Sequence, residues 1–159
     1  MSEPVWLKVL VECCAILGAV IGTVTAILAV STFRKNAKLK RAEWLKALYT
    51  QFYESTKYSD IRRILDYRPK AEFDRLKEAV QSNDGATEEF VIYLNFFEFV
   101  ASLWKLDQLS LREVKMLFEY YVRLLDHEEL QFVGEYVAKW GFENLGDLMA
   151  AVREEGTRS

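Results

Sequence analysis

Residues 13–33 read CCAILGAVIGTVTAILAVSTF, 21 residues in succession without a charged side chain. As a helix rising about 1.5 Å per residue, the stretch covers about 31 Å, the thickness of a bilayer's hydrocarbon core. A helix buried in a soluble core rarely runs this far without one charge, so the stretch predicts a transmembrane helix. It does not read as a cleaved signal peptide. Glu3, Lys8 and Glu12 precede it and the basic residues follow it, the reverse of a secretory leader. Nor does it read as a lipoprotein site, because the large, charged Glu12 stands just before Cys13 and the apolar run comes after the cysteines. The expected division is a short extracytoplasmic N-terminus at 1–12, the span at 13–33, a juxtamembrane basic segment and helix at 34–58, and a cytosolic helical bundle at 59–159.

Arg34, Lys35, Lys38, Lys40 and Arg41 follow the stretch with no acid among them, against Lys8 alone on the other side. The positive-inside bias then puts the C-terminal part in the cytoplasm of a bacterial inner-membrane protein and the N-terminus outside. Such a cluster also attracts anionic lipid, by roughly 1 kcal/mol per basic residue near the surface. Nucleic acid is a poor partner for it: the chain beyond carries more acids than bases, and the cluster lies against lipid.

Within the span, Ala15, Gly18, Gly22, Thr25, Ala29 and Thr32 recur at three- and four-residue steps, a seam of small side chains. Helices associate in lipid by close backbone approach, which small residues permit. The seam predicts a homo-oligomer. Cys13 and Cys14, at the outer end, read either as free thiols or as cross-links between chains in an oxidising compartment.

The whole chain has 159 residues, is 51% hydrophobic and 28% charged, and has a formal charge of −3. Those averages describe an ordinary soluble protein, but they combine two unlike parts. Seven glycines and two prolines are too few for the regular turns of a many-stranded sheet, and the expected fold is all-α. One histidine and two adjacent cysteines exclude a multi-ligand zinc site or a disulfide framework. No cofactor or metal is expected.

No glycine or proline occurs between Thr23 and Arg68, so the membrane helix can continue without a break into the first helix of the bundle. Leu39, Ala42, Leu45, Leu48, Tyr49 and Phe52 carry its apolar stripe onward. Ser59 offers a cap for a second helix that Pro69 ends, and Lys70–Val80 forms a third before the loop Ser82-Asn83-Asp84-Gly85. Thr87 caps a helix from Glu88 to Leu106 that is apolar over most of its circumference and so belongs in the middle of a bundle. Ser110 and Glu113 have capping-box spacing ahead of the Val114–Leu125 helix. Shorter helices at about 128–139 and 145–154, separated by Gly141, close the domain.

The segment Leu94-Asn95-Phe96-Phe97-Glu98-Phe99-Val100-Ala101, Leu103 and the Val114–Leu125 helix resemble a large group of small bacterial proteins of unknown function. Trp44–Phe52 and Ile61–Leu65 are similar to that group's earlier helices, and the likeness runs over roughly residues 5 to 125. It implies an N-terminal span and a helical cytosolic domain, and no activity.

Candidates for chemistry are few. Arg123-Leu124-Leu125-Asp126-His127 resembles the Arg–His motif of HEPN ribonucleases. Only three residues intervene, fewer than in that family, and the first is the apolar Leu124, a departure that re-aims the imidazole. A histidine at a helix C-terminus also has a plain structural use. Asn95 and Glu98 are polar residues in the most apolar helix, and no second carboxylate or histidine completes a site with them; they read as structural partners of neighbouring helix ends. The expected function is a non-enzymatic, single-span membrane protein that self-associates and offers its cytosolic domain to a protein partner. The alternatives are an oligomeric membrane-perturbing or pore-forming effector, through a likeness to small membrane accessory proteins of bacterial antiviral systems, and a membrane-anchored HEPN-like ribonuclease.

Overall fold

The computed structural model describes the backbone of residues 5–82 and 87–157, with side chains at 18, 21–82 and 87–156. The described residues are helical, with no strand among them: α1 (Val5–Tyr53), α2 (Ser59–Tyr67), α3 (Lys70–Gln81), α4 (Glu88–Lys105), α5 (Leu111–Leu125), α6 (Gln131–Lys139) and α7 (Glu143–Thr157), with 3₁₀ turns at Thr56–Tyr58 and Glu128–Leu130. The chain divides into two compact units, Met1–Leu48 and Tyr49–Ser159.

The helix leaving the uncharged stretch is not interrupted: α1 is one helix of 49 residues, as the absence of glycine and proline permits. Its last turn, from Tyr49, belongs to the second unit, ten residues ahead of the Ser59 boundary that the sequence suggests. Phe52 is the reason. It has no exposed surface and its ring meets those of Tyr53, Tyr58, Tyr93, Phe96, Phe97, Phe118 and Tyr121 at centroid separations of 4.9–5.9 Å. Such offset and edge-to-face pairs add to the stabilisation from burial.

α4 supplies the largest share of the core, with Phe90, Tyr93, Leu94, Phe96, Phe97, Val100 and Ala101 all buried. It packs chiefly on α7, which also packs on α5, while α3 lies against α6. Glu88, Asn95 and Phe99 of α4, with Leu106 just past its end, are exposed; seven, four and seven residues apart, they stack on one line of the helix.

The helix ends follow local chemistry. Thr87 Oγ1 accepts the Phe90 N–H at 3.4 Å. Ser110 and Glu113 make both bonds of a capping box, with Ser110 Oγ accepting from Glu113 N and Glu113 Oε2 from Ser110 N. Arg68, at φ 48°, ends α2 in the left-handed region, and its N–H reaches the Ile64 carbonyl. Gly141, at φ 82°, makes the turn between α6 and α7, a conformation that glycine adopts without steric cost. Ser59 departs from expectation. It is the first residue of α2 and its hydroxyl donates to the Thr56 carbonyl at 2.8 Å, because the preceding 3₁₀ turn, capped by Ser55, supplies that acceptor first.

Candidate functional site

Two regions call for explanation, the apolar part of α1 in the first unit and the polar groups set into the second.

In α1, Ile21, Val24, Ile27, Leu28, Val30 and Phe33 are between 50% and 74% exposed. At about 100° per residue they spread over about 240° of the helix circumference, and Gly18, Gly22, Thr25, Ala29 and Thr32 lie within about 80° of the arc left between them. Those small residues are exposed as well, and a Cβ built on Gly18 or Gly22 meets nothing within 4 Å. Thr25 Oγ1 donates to the Ile21 carbonyl at 2.8 Å, so its hydroxyl is satisfied within the helix and needs no water. Among the described residues no helix is long and apolar enough to cross a membrane; their uncharged run is 21–33, about 20 Å of helix. The side chains of Cys13, Cys14, Ala15, Ile16, Leu17, Ala19 and Val20, the first part of the expected span, lie outside the described residues.

Arg34, Lys35, Lys38 and Lys40 are exposed beyond this run, and Arg41 is half-buried with its guanidinium 4.9 Å from the Trp44 ring centre. By the same helical geometry Arg34, Lys35, Lys38 and Arg41 lie within an arc of about 120° centred opposite the small seam, and Lys40 sits at the seam's edge.

In the second unit Glu98 reaches the amino end of α7. Its Oε1 accepts from Asn144 N at 3.3 Å and Asn144 Nδ2 at 2.6 Å, and its Oε2 from Leu145 N at 2.8 Å. Ser102 Oγ accepts a further bond from Asn144 Nδ2 at 3.1 Å. A carboxylate here answers both the unpaired N–H groups and the positive end of the helix dipole. Asn95 is exposed. It lies on the outer row of α4, whereas Glu98 and Ser102 flank that row on the side where α7 packs, so α7 is held by Glu98 and Ser102 without Asn95.

Arg123 and His127 are engaged separately. The Arg123 guanidinium bonds Glu119 one turn back, Nε to Oε1 at 3.0 Å, and lies over Gly156 of α7, where an added Cβ would stand 2.5 Å from Nη2. His127 Nδ1 accepts the Glu129 N–H at 3.3 Å and caps the second 3₁₀ turn. Asp126 between them takes both Nε and Nη2 of Arg153, at 2.7 and 2.8 Å, tying α5 to α7. No group of three or more His, Cys, Asp or Glu side chains suited to a metal ion occurs among the described residues.

The sequence places Tyr93 and Tyr121 on the apolar faces of their helices and draws no attention to Arg62 and Asp66; these four polar side chains lie together at the edge of the aromatic core. Arg62 Nη2 donates to the Tyr53 carbonyl at 2.9 Å and so caps the end of α1. Its guanidinium lies 5.3 Å from the Phe52 ring centre. Tyr121 OH donates to Asp66 Oδ2 at 3.3 Å, and Tyr53 OH to the Leu117 carbonyl at 3.0 Å. Burial, with the Asp66 carboxylate next in weight, pushes the Tyr121 hydroxyl up to about 12. Burial also holds Tyr93 well above the usual phenol range. Arg62 Nε, Asp66 Oδ1 and the Tyr93 hydroxyl are buried without a hydrogen-bond partner. One signal was legible: Arg62 and Asp66, four apart, directly follow Ile61 and Leu65, also four apart, and therefore border the buried face of α2.

No family model, curated protein or solved structure matches the chain.

Proposed function

We propose that the chain is a non-enzymatic, single-span protein of a bacterial inner membrane. Residues 13–33 cross the bilayer, the N-terminus lies outside, and the helical unit from Tyr49 on lies in the cytoplasm, where it engages a protein partner. The observation that carries the reading is the exposure of large apolar side chains around α1 from Ile21 to Phe33, followed at once by a basic cluster free of acids. Burying a side chain of this class is worth about 1.5–3 kcal/mol. Six of them at least half exposed in water therefore forgo on the order of 5–10 kcal/mol, as much as the whole stability of a typical domain. A bilayer covers every side of such a helix, which a single neighbouring protein surface does not. The arc of small residues from Gly18 to Thr32 is then the face on which two or more copies of α1 approach one another.

Carbonate extraction and protease protection of the full chain expressed in bacteria test the span. The chain stays in the membrane pellet with its C-terminal unit protected in right-side-out cells, and Val24→Arg with Leu28→Arg moves it to the supernatant, since each arginine near the helix centre costs about 2.5–3.5 kcal/mol. A wild-type chain that washes out refutes the span. Cross-linking in mild detergent tests the seam: Gly18→Ile with Gly22→Ile yields monomers while the melting temperature of the helical unit is unchanged. Loss of neither oligomer nor cross-link refutes self-association through that face.

A further inference from the structure

On the reading of 13–33 as a span, the face of α1 opposite the small seam has a composition of its own. Ile27, Val30, Arg34, Lys35 and Lys38, with Ala26 and Ser31, line a shallow concavity of about 530 Å³ along the helix, and all of these side chains are exposed. Apolar residues form its outer end and three cations its inner end. Measured from Thr23, the middle of the span, Arg34 stands at about 16 Å and Lys38 at about 22 Å along the axis. The hydrocarbon half-thickness is about 15 Å, and the headgroup layer extends to about 20–22 Å. The cations therefore stand at the depth of lipid phosphates, and the apolar end at the depth of the upper acyl chain. No acidic residue occurs from Cys13 to Ala42 to neutralise them.

We propose that this face binds an anionic phospholipid of the cytoplasmic leaflet, its phosphate held among Arg34, Lys35 and Lys38 and its acyl chain laid on Ile27 and Val30. The opposition of the two faces gives the arrangement its use. Copies of α1 that meet through Gly18, Gly22, Thr25 and Ala29 turn these cations outward to lipid, away from one another. Lys40, at the edge of the seam, serves as the internal control because it carries the same charge on a different face.

The test uses the full chain in nanodiscs with spin-labelled phosphatidylglycerol or phosphatidylcholine, where electron spin resonance gives the relative association of each lipid with the protein. The expected result is a preference for phosphatidylglycerol of about tenfold, reduced at least fivefold in Lys35→Gln with Lys38→Gln and retained in Lys40→Gln. Equal preference for the two lipids overturns the proposal, as does an equal loss in Lys40→Gln, which marks a diffuse charge effect in place of a site. Abolition of the preference by about 10 mM inorganic phosphate at constant ionic strength assigns the cations to free phosphate and likewise overturns it. Carbonate extraction of the same samples separates the two levels. A chain that washes out removes the span and this site together, whereas a retained chain without lipid preference removes the site alone.

Discussion

Glu98 is a polar side chain that joins two helices of the second unit. It ties α4, the innermost helix, to the first turn of α7 through three donors, Asn144 N, Asn144 Nδ2 and Leu145 N. Replacing it with alanine leaves those donors without the carboxylate in a half-buried position. Hydrogen bonds to a charged group contribute about 1.5–3 kcal/mol, and an orphaned donor costs a comparable amount; the helix-dipole interaction adds up to about 1 kcal/mol. The bonds share one carboxylate and are not additive, so a loss of about 3 kcal/mol is expected for Glu98→Ala. Glu98→Gln keeps one acceptor oxygen for Asn144 but presents an NH₂ to the Leu145 N–H, for about 2 kcal/mol. The unit Tyr49–Ser159 has roughly 110 residues, and at about 2.1 cal/mol/K per residue its unfolding entropy is about 0.23 kcal/mol/K. The melting temperature should therefore fall by about 13 °C for alanine and about 9 °C for glutamine. The measurement is a thermal melt of the full chain in mild detergent followed by near-ultraviolet circular dichroism, which reports the aromatic core and not the helicity of α1. Hydrogen exchange should show the Asn144 and Leu145 amides losing protection beyond the global change. A Glu98→Gln melt within 2 °C of the parent, with those amides still protected, refutes the assigned role.

Phe52→Ala removes the ring at the centre of seven aromatic contacts and should cost about 3–5 kcal/mol, read as a lowered urea midpoint; a cost under 1 kcal/mol contradicts its central place. Ser110→Ala breaks the capping box of α5 and should cost about 1 kcal/mol, a smaller shift than either Glu98 variant in the same melt. Alkaline titration at 295 nm should show the tyrosines ionising in at least two groups, with Tyr121 delayed to about 12 and Tyr93 also held well above the usual phenol range by burial. Both hydroxyls are neutral in folded and unfolded chains below pH 10, where their contribution is complete. Above it the unfolded chain releases protons that the folded one retains, so stability falls as pH rises from 10 through 12. Simultaneous ionisation of all tyrosines near 10 while the near-ultraviolet signal persists would contradict their burial.

The extent of what can be read along the chain follows from the range of the interactions involved. The all-α character, the unbroken α1, the Ser110–Glu113 box, the Thr87 cap and the turn at Gly141 are decided within one or two helical turns, by propensity, periodicity and capping. The composition of residues 13–41 is likewise local, and with it the small arc, the apolar arc and the opposed basic arc of α1, since helical geometry alone assigns their directions. Which polar groups meet in the second unit is a different matter. Glu98 meets Asn144 46 residues away and Tyr121 meets Asp66 55 residues away, and nothing in either local pattern names the partner. Asn95 and Glu98 look equivalent in sequence, but the packing of α7 on one side of α4 gives Glu98 a helix end to hold and leaves Asn95 exposed. Phe99 and Leu106 read as core by composition and lie 49% and 69% exposed, because a helix with neighbours on only part of its circumference must leave one row outside. Arg62, half-buried at the edge of the core, found its acceptor only when the end of α1 brought the Tyr53 carbonyl to it. The sequence thus determined the helices, most of their ends and the two opposed faces of α1, each set by neighbours a few residues apart. The tertiary structure decided which side chains were buried and which polar atoms they met, because burial depends on how helices distant in sequence pack together.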